Sequence, residues 1–131
     1  MKYLEKLVGK TPMLELVFDY KNEERRIFVK NESYNLSGSI KDRMAFYTLK
    51  KAYEKGEIKK GAPIVEATSG NTGIAFSAMG AILGHPVIIY MPDWMSEERK
   101  SLIRSFGAKI VLVSREEGGF LGSIEKTKEF A

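Results

Sequence analysis

Residues 63–91 read PIVEATSGNTGIAFSAMGAILGHPVIIYM and contain the clearest structural pattern of the chain. The two ends, Pro63–Ala67 and Val87–Met91, are short apolar runs beside glycine or proline, as is typical of buried strands. Between them, Gly73–Leu83 is small and apolar on nearly every side and ends at Gly84, which predicts a helix packed closely on both sides. A strand, a helix and a second strand in this order indicate a parallel βαβ unit.

The same alternation of strand and helix patterns continues on both sides of this unit. Apolar spacing and turn residues predict further helices over Lys41–Glu57, Ser96–Phe106 and Ser123–Phe130, and further strands at Met13–Phe18, Arg26–Lys30 and Lys109–Val113. From Pro63 onward each strand is separated from the next by one helix, which favours a parallel sheet with helices on both faces. The predicted fold class is α/β, built of βαβ units in one domain without a linker.

Length and composition suit one folded domain. The chain has 131 residues, of which 44% are apolar and 29% charged, as in ordinary soluble proteins. It has no cysteine and one histidine, His85, which excludes disulfides, a cysteine nucleophile and any metal site that needs two histidines. No apolar run approaches the roughly 18 residues of a membrane span. Because the start MKYLEKLVGK has charges where a signal peptide has its apolar centre, we expect a cytoplasmic protein without a membrane partner.

The basic net charge does not indicate a nucleic-acid partner. Lys and Arg number 21, and Asp and Glu number 17, which gives a net charge of +4. The two signs are interleaved, as in Glu97-Glu98 followed by Arg99-Lys100, a pattern typical of solvated helix faces. A nucleic-acid-binding protein would gather its cations on one surface. We therefore expect no nucleic acid among the partners.

Gly9-Lys10-Thr11 is similar to the end of a P-loop, the phosphate-binding loop of many nucleotide-binding proteins. A P-loop needs another glycine five residues before Gly9, where this chain has Leu4. Pro12 also disfavours the helix that would have to follow. The sequence therefore argues against a nucleotide site here.

Thr68-Ser69-Gly70-Asn71-Thr72-Gly73 lies between a predicted strand and the next helix. Ligands of α/β proteins bind at this carboxyl edge of the sheet. The helix N-terminus offers unpaired amides, and three hydroxyls and one side-chain amide add donors, so the loop suits an anion such as a carboxylate. The alternative is that the serine, asparagine and glycines only form a turn and cap the helix.

Asn35–Arg43, NLSGSIKDR, is a polar turn that leads into the predicted helix at Lys41. The helix dipole disfavours a cation at this end of a helix, and burial by Ile40 and Met44 would add to that effect. A lysine that loses its proton readily is a nucleophile and forms Schiff bases with carbonyls. The alternative is an ordinary surface lysine.

The two residues after Lys41 have simpler predicted roles. Asp42 is expected to be an exposed acid of the first helical turn, and Arg43 an ion-pair partner facing the sheet or a loop. An activated lysine combined with a carboxylate-binding loop suits an enzyme that acts on amino acids through pyridoxal phosphate.

Three stretches carry a family resemblance: SGSIKDR at 37–43, EATSGNTG at 66–73 and MPDWMSEERKSLIRSFGAKIVLV at 91–113. They closely resemble the cysteine synthase (O-acetylserine sulfhydrylase) and cystathionine β-synthase family. The similarity starts at Val8–Pro12 and continues to the end of the chain. It implies the fold-type-II architecture, in which the cofactor, pyridoxal 5'-phosphate, lies between two α/β domains.

The resemblance also implies a role for each site residue. Lys41 forms the Schiff base with pyridoxal phosphate and then removes the α-proton of the substrate, and Asn71 hydrogen-bonds the ring hydroxyl of the cofactor. The residues that hold the α-carboxylate of the amino-acid substrate are Thr68, Ser69, Gly70 and Thr72, with Asn71 beside them. The implied reaction is β-replacement or β-elimination on O-acetylserine or cysteine through an aminoacrylate, and the implied assembly is a homodimer.

Other functions stay open at this point: a cysteine-degrading lyase that releases hydrogen sulfide, a cystathionine β-synthase-like or serine/threonine dehydratase-like enzyme, or a non-catalytic α/β module. The chain departs from the family at Asn35-Leu36-Ser37-Gly38, where the family has a turn richer in proline and glycine. In the family, the phosphate-binding loop and the residue facing the pyridine nitrogen lie in a later part of a longer chain. We therefore interpret residues 1–131 as the amino-terminal part of a catalytic unit, which alone should bind the cofactor poorly and be inactive.

The segment from about Val87 to Ala131 is expected to move as one body. Gly84 lies just before it, and Gly118, Gly119 and Gly122 lie near its other end; at these positions the backbone rotates easily. In the family, a corresponding unit closes over the active site when the substrate binds. The alternative is that these glycines only end helices and form turns.

Overall fold

The computed structural model describes residues 1–130. The strands are β1 (Met13–Tyr20), β2 (Glu23–Lys30), β3 (Ile64–Ala67), β4 (Val87–Pro92) and β5 (Lys109–Val113). The helices are α1 (Lys41–Lys55), α2 (Asn71–Leu83), α3 (Glu97–Ser105) and α4 (Gly119–Lys128), with short 3-10 helices at Leu4–Lys6 and Glu32–Tyr34. Within this described part of the chain, no helix is long and apolar enough to cross a membrane.

Strands β3, β4 and β5 form a parallel sheet in that order. Successive side chains of a strand point to opposite faces. On β4, Ile89 is fully buried beneath Gly73 of α2 and shares a core with Ile103 of α3. The next residue, Tyr90, points to the other face, where its ring centroid lies 6.2 Å from that of Phe130, just beyond α4. Helices therefore cover both faces of the parallel sheet, which confirms the predicted α/β class.

Helix α2 is buried along most of its length, since every residue from Gly73 to Gly80 is buried. Its glycines allow close contact with the sheet: a Cβ atom at Gly73 would lie 3.3 Å from Ile89 Cγ2, and one at Gly80 would collide with Val87. Helix α2 also packs against α1, in addition to the strands. The prediction of a helix packed closely on both sides is confirmed.

Strands β1 and β2 form an antiparallel hairpin that is separate from the parallel sheet. The turn residues Lys21 and Asn22 have positive φ angles of 53° and 61°, as a two-residue hairpin turn requires. Both strands have eight residues and are longer than the sequence pattern predicts. One face of the hairpin presents Leu16, Phe18 and Ile27, which are exposed among the described residues.

The predicted start of α4 is wrong. The helix begins at Gly119 and not at Ser123, because Gly118, at a φ of 92°, turns the chain directly into the first helical turn. Gly122 then lies inside the helix, so close to the carbonyl of Glu117 that a side chain would collide with it. Two of the glycines predicted to allow rotation are therefore helical residues.

The helix faces show the predicted pairing of opposite charges. Lys51 pairs with Glu54, and Lys100 pairs with Glu97, each at 2.7 Å. Ser96, where the sequence predicts this helix to start, is the N-cap residue of α3, and its side chain makes no capping hydrogen bond in the described structure.

Candidate active site

Lys41 is the first residue of α1 and follows the turn that begins at Asn35. Its backbone amide donates to Ser39 Oγ at 3.2 Å, and the residue is exposed. Ile40 and Met44 are exposed as well, at 58% and 40%, so these two residues do not shield Lys41 from water as the sequence predicts. The ε-amino group is accessible, which a Schiff-base lysine requires.

Asp42 is not the exposed acid that the sequence predicts. It is fully buried, and its carboxylate accepts hydrogen bonds from the Ser37 amide at 2.7 Å and from Ser37 Oγ at 2.6 Å. Burial of a carboxylate is tolerated when its oxygens are hydrogen-bonded in this way. Asp42 thereby joins the turn to α1 and fixes the backbone on both sides of Lys41.

Arg43 forms the predicted ion pair, and its partner Glu32 is the first residue of the short 3-10 helix Glu32–Tyr34. Its Nε donates to Glu32 Oε2 at 2.6 Å and its Nη2 to Glu32 Oε1 at 2.8 Å, a two-point contact. Thr11 Oγ1 donates to Glu32 Oε1 at 2.6 Å, and Asn35 Nδ2 donates to Glu32 Oε2 at 2.8 Å. The hydrogen bonds from Arg43 and Thr11 lower the pKa of Glu32 from its ordinary value of 4.5 to about 2.

The Val8–Pro12 segment completes this polar cluster. Gly9 has a φ of 83°, and its amide donates to Asn35 Oδ1 at 2.8 Å. A Cβ atom at Gly9 would lie 3.1 Å from Arg43 Nη1, so glycine is needed both for the turn and for the approach of the guanidinium. The triplet Gly9-Lys10-Thr11 therefore has a structural role: it joins the N-terminal segment to the turn before Lys41.

The Thr68–Gly73 loop leaves the N-terminus of α2 accessible. The N-cap residue is Gly70, and no side chain of the described residues caps the helix. The amides of Gly73 and Ile74 donate to the Gly70 carbonyl at 3.0 Å and 3.4 Å, so the amides of Asn71 and Thr72 have no acceptor within the helix. Of the alternative, the capping by serine or asparagine does not match this geometry, whereas Gly70 is the N-cap and its amide donates to Thr68 Oγ1 at 3.3 Å in a turn.

The two glycines of the loop differ in their surroundings. A Cβ atom at Gly73 would lie 2.6 Å from Thr68 Cγ2, so a larger residue would force the Thr68 side chain to shift. A Cβ atom at Gly70 would lie 3.8 Å from Nε of Arg99, an ordinary contact distance. Sequence reasoning missed Arg99, because only the folded chain brings α3 to this loop.

A cavity of about 350 Å³ joins the two predicted segments. Its lining combines the turn before Lys41 with the start of α2 and one face of α3: Ser37, Gly38, Ser39, Asn71, Ile74, Glu98, Arg99 and Leu102. Asn71 and the lysine turn are therefore brought together as predicted. The other predicted site residues lie near lining residues in the sequence but do not themselves line the cavity: Lys41, Thr68, Ser69, Gly70 and Thr72.

The donor set of this region fits pyridoxal phosphate. An accessible lysine amine at the start of α1 has the chemistry to form an imine with an aldehyde. Asn71, exposed at the start of α2, offers a side-chain amide that can hydrogen-bond a ring hydroxyl. Both groups lie at helix N-termini, and α1 packs against α2.

Comparison with known proteins identifies the family. A family model described as "Pyridoxal-phosphate dependent enzyme" matches residues 4–131. The chain belongs to this family. The predicted cofactor is thereby confirmed at the level of the family, as is the predicted fold class.

Members of the family that resemble this chain are cysteine synthases and hydrogen sulfide-producing enzymes. Cysteine synthase B of Salmonella typhimurium is 42% identical over 118 residues, which cover 90% of this chain and 39% of the relative. A hydrogen sulfide-producing enzyme from Fusobacterium nucleatum has a crystal structure with a TM-score of 0.94 and 95% identity, covering 99% of this chain and 39% of that one. A second crystal structure of that enzyme is a mutant in complex with an α-aminoacrylate intermediate. The chain thus spans about two-fifths of the length of these family members.

Proposed function

We propose that the full-length enzyme containing this chain catalyses pyridoxal-phosphate-dependent β-replacement or β-elimination on a three-carbon amino acid, O-acetylserine or cysteine. One observation supports this most strongly. The turn before an exposed lysine and Asn71, at the uncapped N-terminus of α2, line one cavity.

In this reaction, Lys41, Ser69, Thr72 and Asn71 have different roles. When bound, pyridoxal phosphate supplies an electron sink for the pair left behind when the α-proton departs. The Lys41 Nζ, once free, accepts that α-proton as a general base. The Ser69 and Thr72 hydroxyls and the first amides of α2 bind the α-carboxylate, and they orient the Cα–H bond toward Lys41. The Asn71 side chain holds the ring hydroxyl of the cofactor.

The relative that is 95% identical to this chain is a hydrogen sulfide-producing enzyme. This favours hydrogen sulfide as a product and cysteine as the substrate. Loss of the β-thiol from cysteine gives sulfide, and the remaining three-carbon unit has two fates. Addition of water at the β-carbon and return of the α-proton give serine, whereas release and hydrolysis give pyruvate and ammonia. O-acetylserine would follow the same course with acetate as the leaving group and sulfide as the nucleophile.

The experiment that tests the proposal compares the full-length enzyme with its Lys41→Ala variant. The unchanged enzyme should show Schiff-base absorbance in the visible after addition of pyridoxal phosphate, and it should convert cysteine or O-acetylserine. Lys41→Ala should lose both properties while keeping its circular dichroism spectrum. Ordinary turnover in the variant would overturn the assignment of Lys41 as the Schiff-base lysine. Assays for serine, pyruvate and cysteine identify the product of the unchanged enzyme.

The same proposal covers the organisation of the enzyme. Residues 1–131 form the amino-terminal portion of the catalytic unit, and 87–131 form a subdomain that moves when substrate binds. The family resemblance also supports a cytoplasmic homodimer. Light scattering of the full-length enzyme and cell fractionation test the assembly and the location.

A further inference from the structure

A cation lies over the centre of the Thr68–Gly73 loop. Arg99 of α3 is the nearest side chain to the open face of Gly70: its Nε and Cζ lie 3.8 Å and 3.9 Å from the position that a Cβ atom would occupy. Arg99 also lines the cavity beside Asn71. The loop itself contains no acidic or basic residue. Among the residues that contact Gly70, Arg99 is therefore the one that carries a full positive charge.

The charge of Arg99 is not neutralised by the described residues. The other two cations of α3 have a carboxylate partner, because Lys100 pairs with Glu97 at 2.7 Å and Arg104 pairs with the same residue at 3.9 Å. Among residues 1–130, no carboxylate lies within 4.0 Å of the Arg99 guanidinium, and this includes Glu98, the acid that lines the same cavity. The positive charge of Arg99 is therefore available to a ligand.

The position of Arg99 has an electrostatic consequence. The N-terminus of α2 carries a partial positive charge, and Arg99 adds a full positive charge on the same side of the loop. Because no carboxylate of the described residues contacts Arg99, these two positive charges repel each other. An anion bound at the loop would be attracted to both of them. Glu98 acts in the opposite direction, but it flanks Arg99 in sequence and does not contact Gly70.

We propose that Arg99 is a specificity-determining residue of the loop, which raises the affinity for amino acids that carry a negative α-carboxylate over those in which this group is neutral. The proposal rests on the proposed function, because it assigns the ligand of Thr68–Gly73 as that carboxylate. Arg99 acts by its positive potential over the loop, and it leaves the proton transfer to Lys41. Since the guanidinium is exposed, its effect on affinity should be about two- to fivefold.

The test measures equilibrium binding of two inert probes to the full-length enzyme loaded with pyridoxal phosphate. L-alanine has the α-carboxylate but no leaving group, and L-alaninamide replaces the carboxylate with a neutral amide. Calorimetry gives the dissociation constant of each probe for the unchanged enzyme and for the Arg99→Ala, Arg99→Lys and Arg104→Ala variants. Arg104→Ala is the matched control, because it removes one positive charge from the same helix.

Arg99→Ala should weaken L-alanine binding by about two- to fivefold and leave L-alaninamide unchanged. Arg99→Lys should restore most of the loss, and added salt should reduce the difference between Arg99→Ala and the unchanged enzyme. Equal weakening of both probes, or the same loss in Arg104→Ala, would overturn the role of Arg99. If the unchanged enzyme failed to prefer L-alanine, the carboxylate assignment of the loop would itself be wrong, which separates failure of the proposed function from failure of this inference.

Discussion

The Asp42 carboxylate accepts two hydrogen bonds from Ser37, one from its amide at 2.7 Å and one from its hydroxyl at 2.6 Å. This contact spans the lysine, since Ser37 lies before Lys41 and Asp42 lies directly after it. The acid is fully buried, whereas the lysine next to it is exposed. A buried, hydrogen-bonded acid therefore holds the backbone in place while the adjacent amine stays accessible.

Asp42→Ala should destabilise the full-length enzyme by about 1–3 kcal/mol, because it leaves the Ser37 amide and hydroxyl without their acceptor. Chemical denaturation measures this change in the free energy of unfolding. Asp19→Ala, at an exposed position of the hairpin, is the control and should change stability by no more than about 0.5 kcal/mol. Equal effects of the two substitutions would contradict the structural role of Asp42.

Single substitutions in the Thr68–Gly73 loop should separate substrate binding from cofactor binding. Ser69→Ala and Thr72→Ala should each weaken amino-acid binding by about 0.5–1.5 kcal/mol, the value of one neutral hydrogen bond, while the amides of α2 continue to donate. Asn71→Ala should alter the visible absorbance of the bound cofactor. Ser101→Ala, exposed on α3, should change neither property, and titration of the spectrum with amino acid measures both.

The contact between Glu32 and Arg43 makes stability depend on pH in acid. The folded-state pKa of Glu32 is about 2, below its ordinary value of 4.5, so the folded state favours the charged carboxylate. The stabilisation is fully present above about pH 4.5, and it is lost as the pH falls toward 2. Denaturation at a series of pH values should show stability rising with pH across this range, and Glu32→Gln should flatten the rise. An unchanged slope in that variant would assign the acid dependence to other groups.

The sequence predicted those parts of the fold in which local pattern and tertiary environment agree. Within residues 63–91, most of β4 and α2 is buried and β3 is at least half-buried, so these continuous apolar runs have few interpretations other than strand, helix and strand. The Thr68–Gly73 loop was predicted from the same order of elements, since a loop after a parallel strand must lie at the carboxyl edge of the sheet.

Asp42, Arg99 and the start of α4 show why the rest could not be predicted. The burial of Asp42 depends on how the Asn35–Ile40 turn folds back on α1, and a first-turn acid has the same sequence pattern when it is exposed. The position of Arg99 depends on the packing of α3 beside Gly70. The sequence predicts backbone rotation at Gly119 and Gly122, whereas both lie in α4, where they allow close contact with Trp94 and with the Glu117 carbonyl.

Gly73 and Gly80 offer a matched pair of substitutions within α2. A Cβ atom at Gly73 would lie 2.6 Å from Thr68 Cγ2, and one at Gly80 would collide with Val87. Both Gly73→Ala and Gly80→Ala should therefore destabilise the enzyme, by about 1–3 kcal/mol for overpacking, less the gain in helix propensity. Only Gly73→Ala shifts the Thr68 side chain, and it should therefore also weaken amino-acid binding. Equal binding in both variants would show that the position of Thr68 does not matter for the ligand.

The proposed movement of the segment that starts at Val87 can be located at its N-terminal end, where the contacts of the preceding residue His85 are defined. His85, just before β4, is buried and lies 2.5 Å from Tyr53 Oη through Nε2 and 2.7 Å from the Ala62 carbonyl through Nδ1. Because His85 is held by α1 and by the chain before β3, the rotation should begin beyond it, and the β3–β4 ladder from Ile64 and Val87 onward must twist.

Amide hydrogen exchange of the full-length holoenzyme, with and without L-alanine, tests this movement. Closure should increase protection in β4, α3, β5 and α4 and in the Thr68–Gly73 loop, because closing the site excludes water from these backbones. Helix α1 should be unaffected beyond its first turn, and it serves as the internal control. Since His85 would be the fixed point, Tyr53→Phe should loosen the start of β4 and raise its exchange in both states. Unchanged exchange over 87–130 in an enzyme that calorimetry shows to be saturated would rule out the movement.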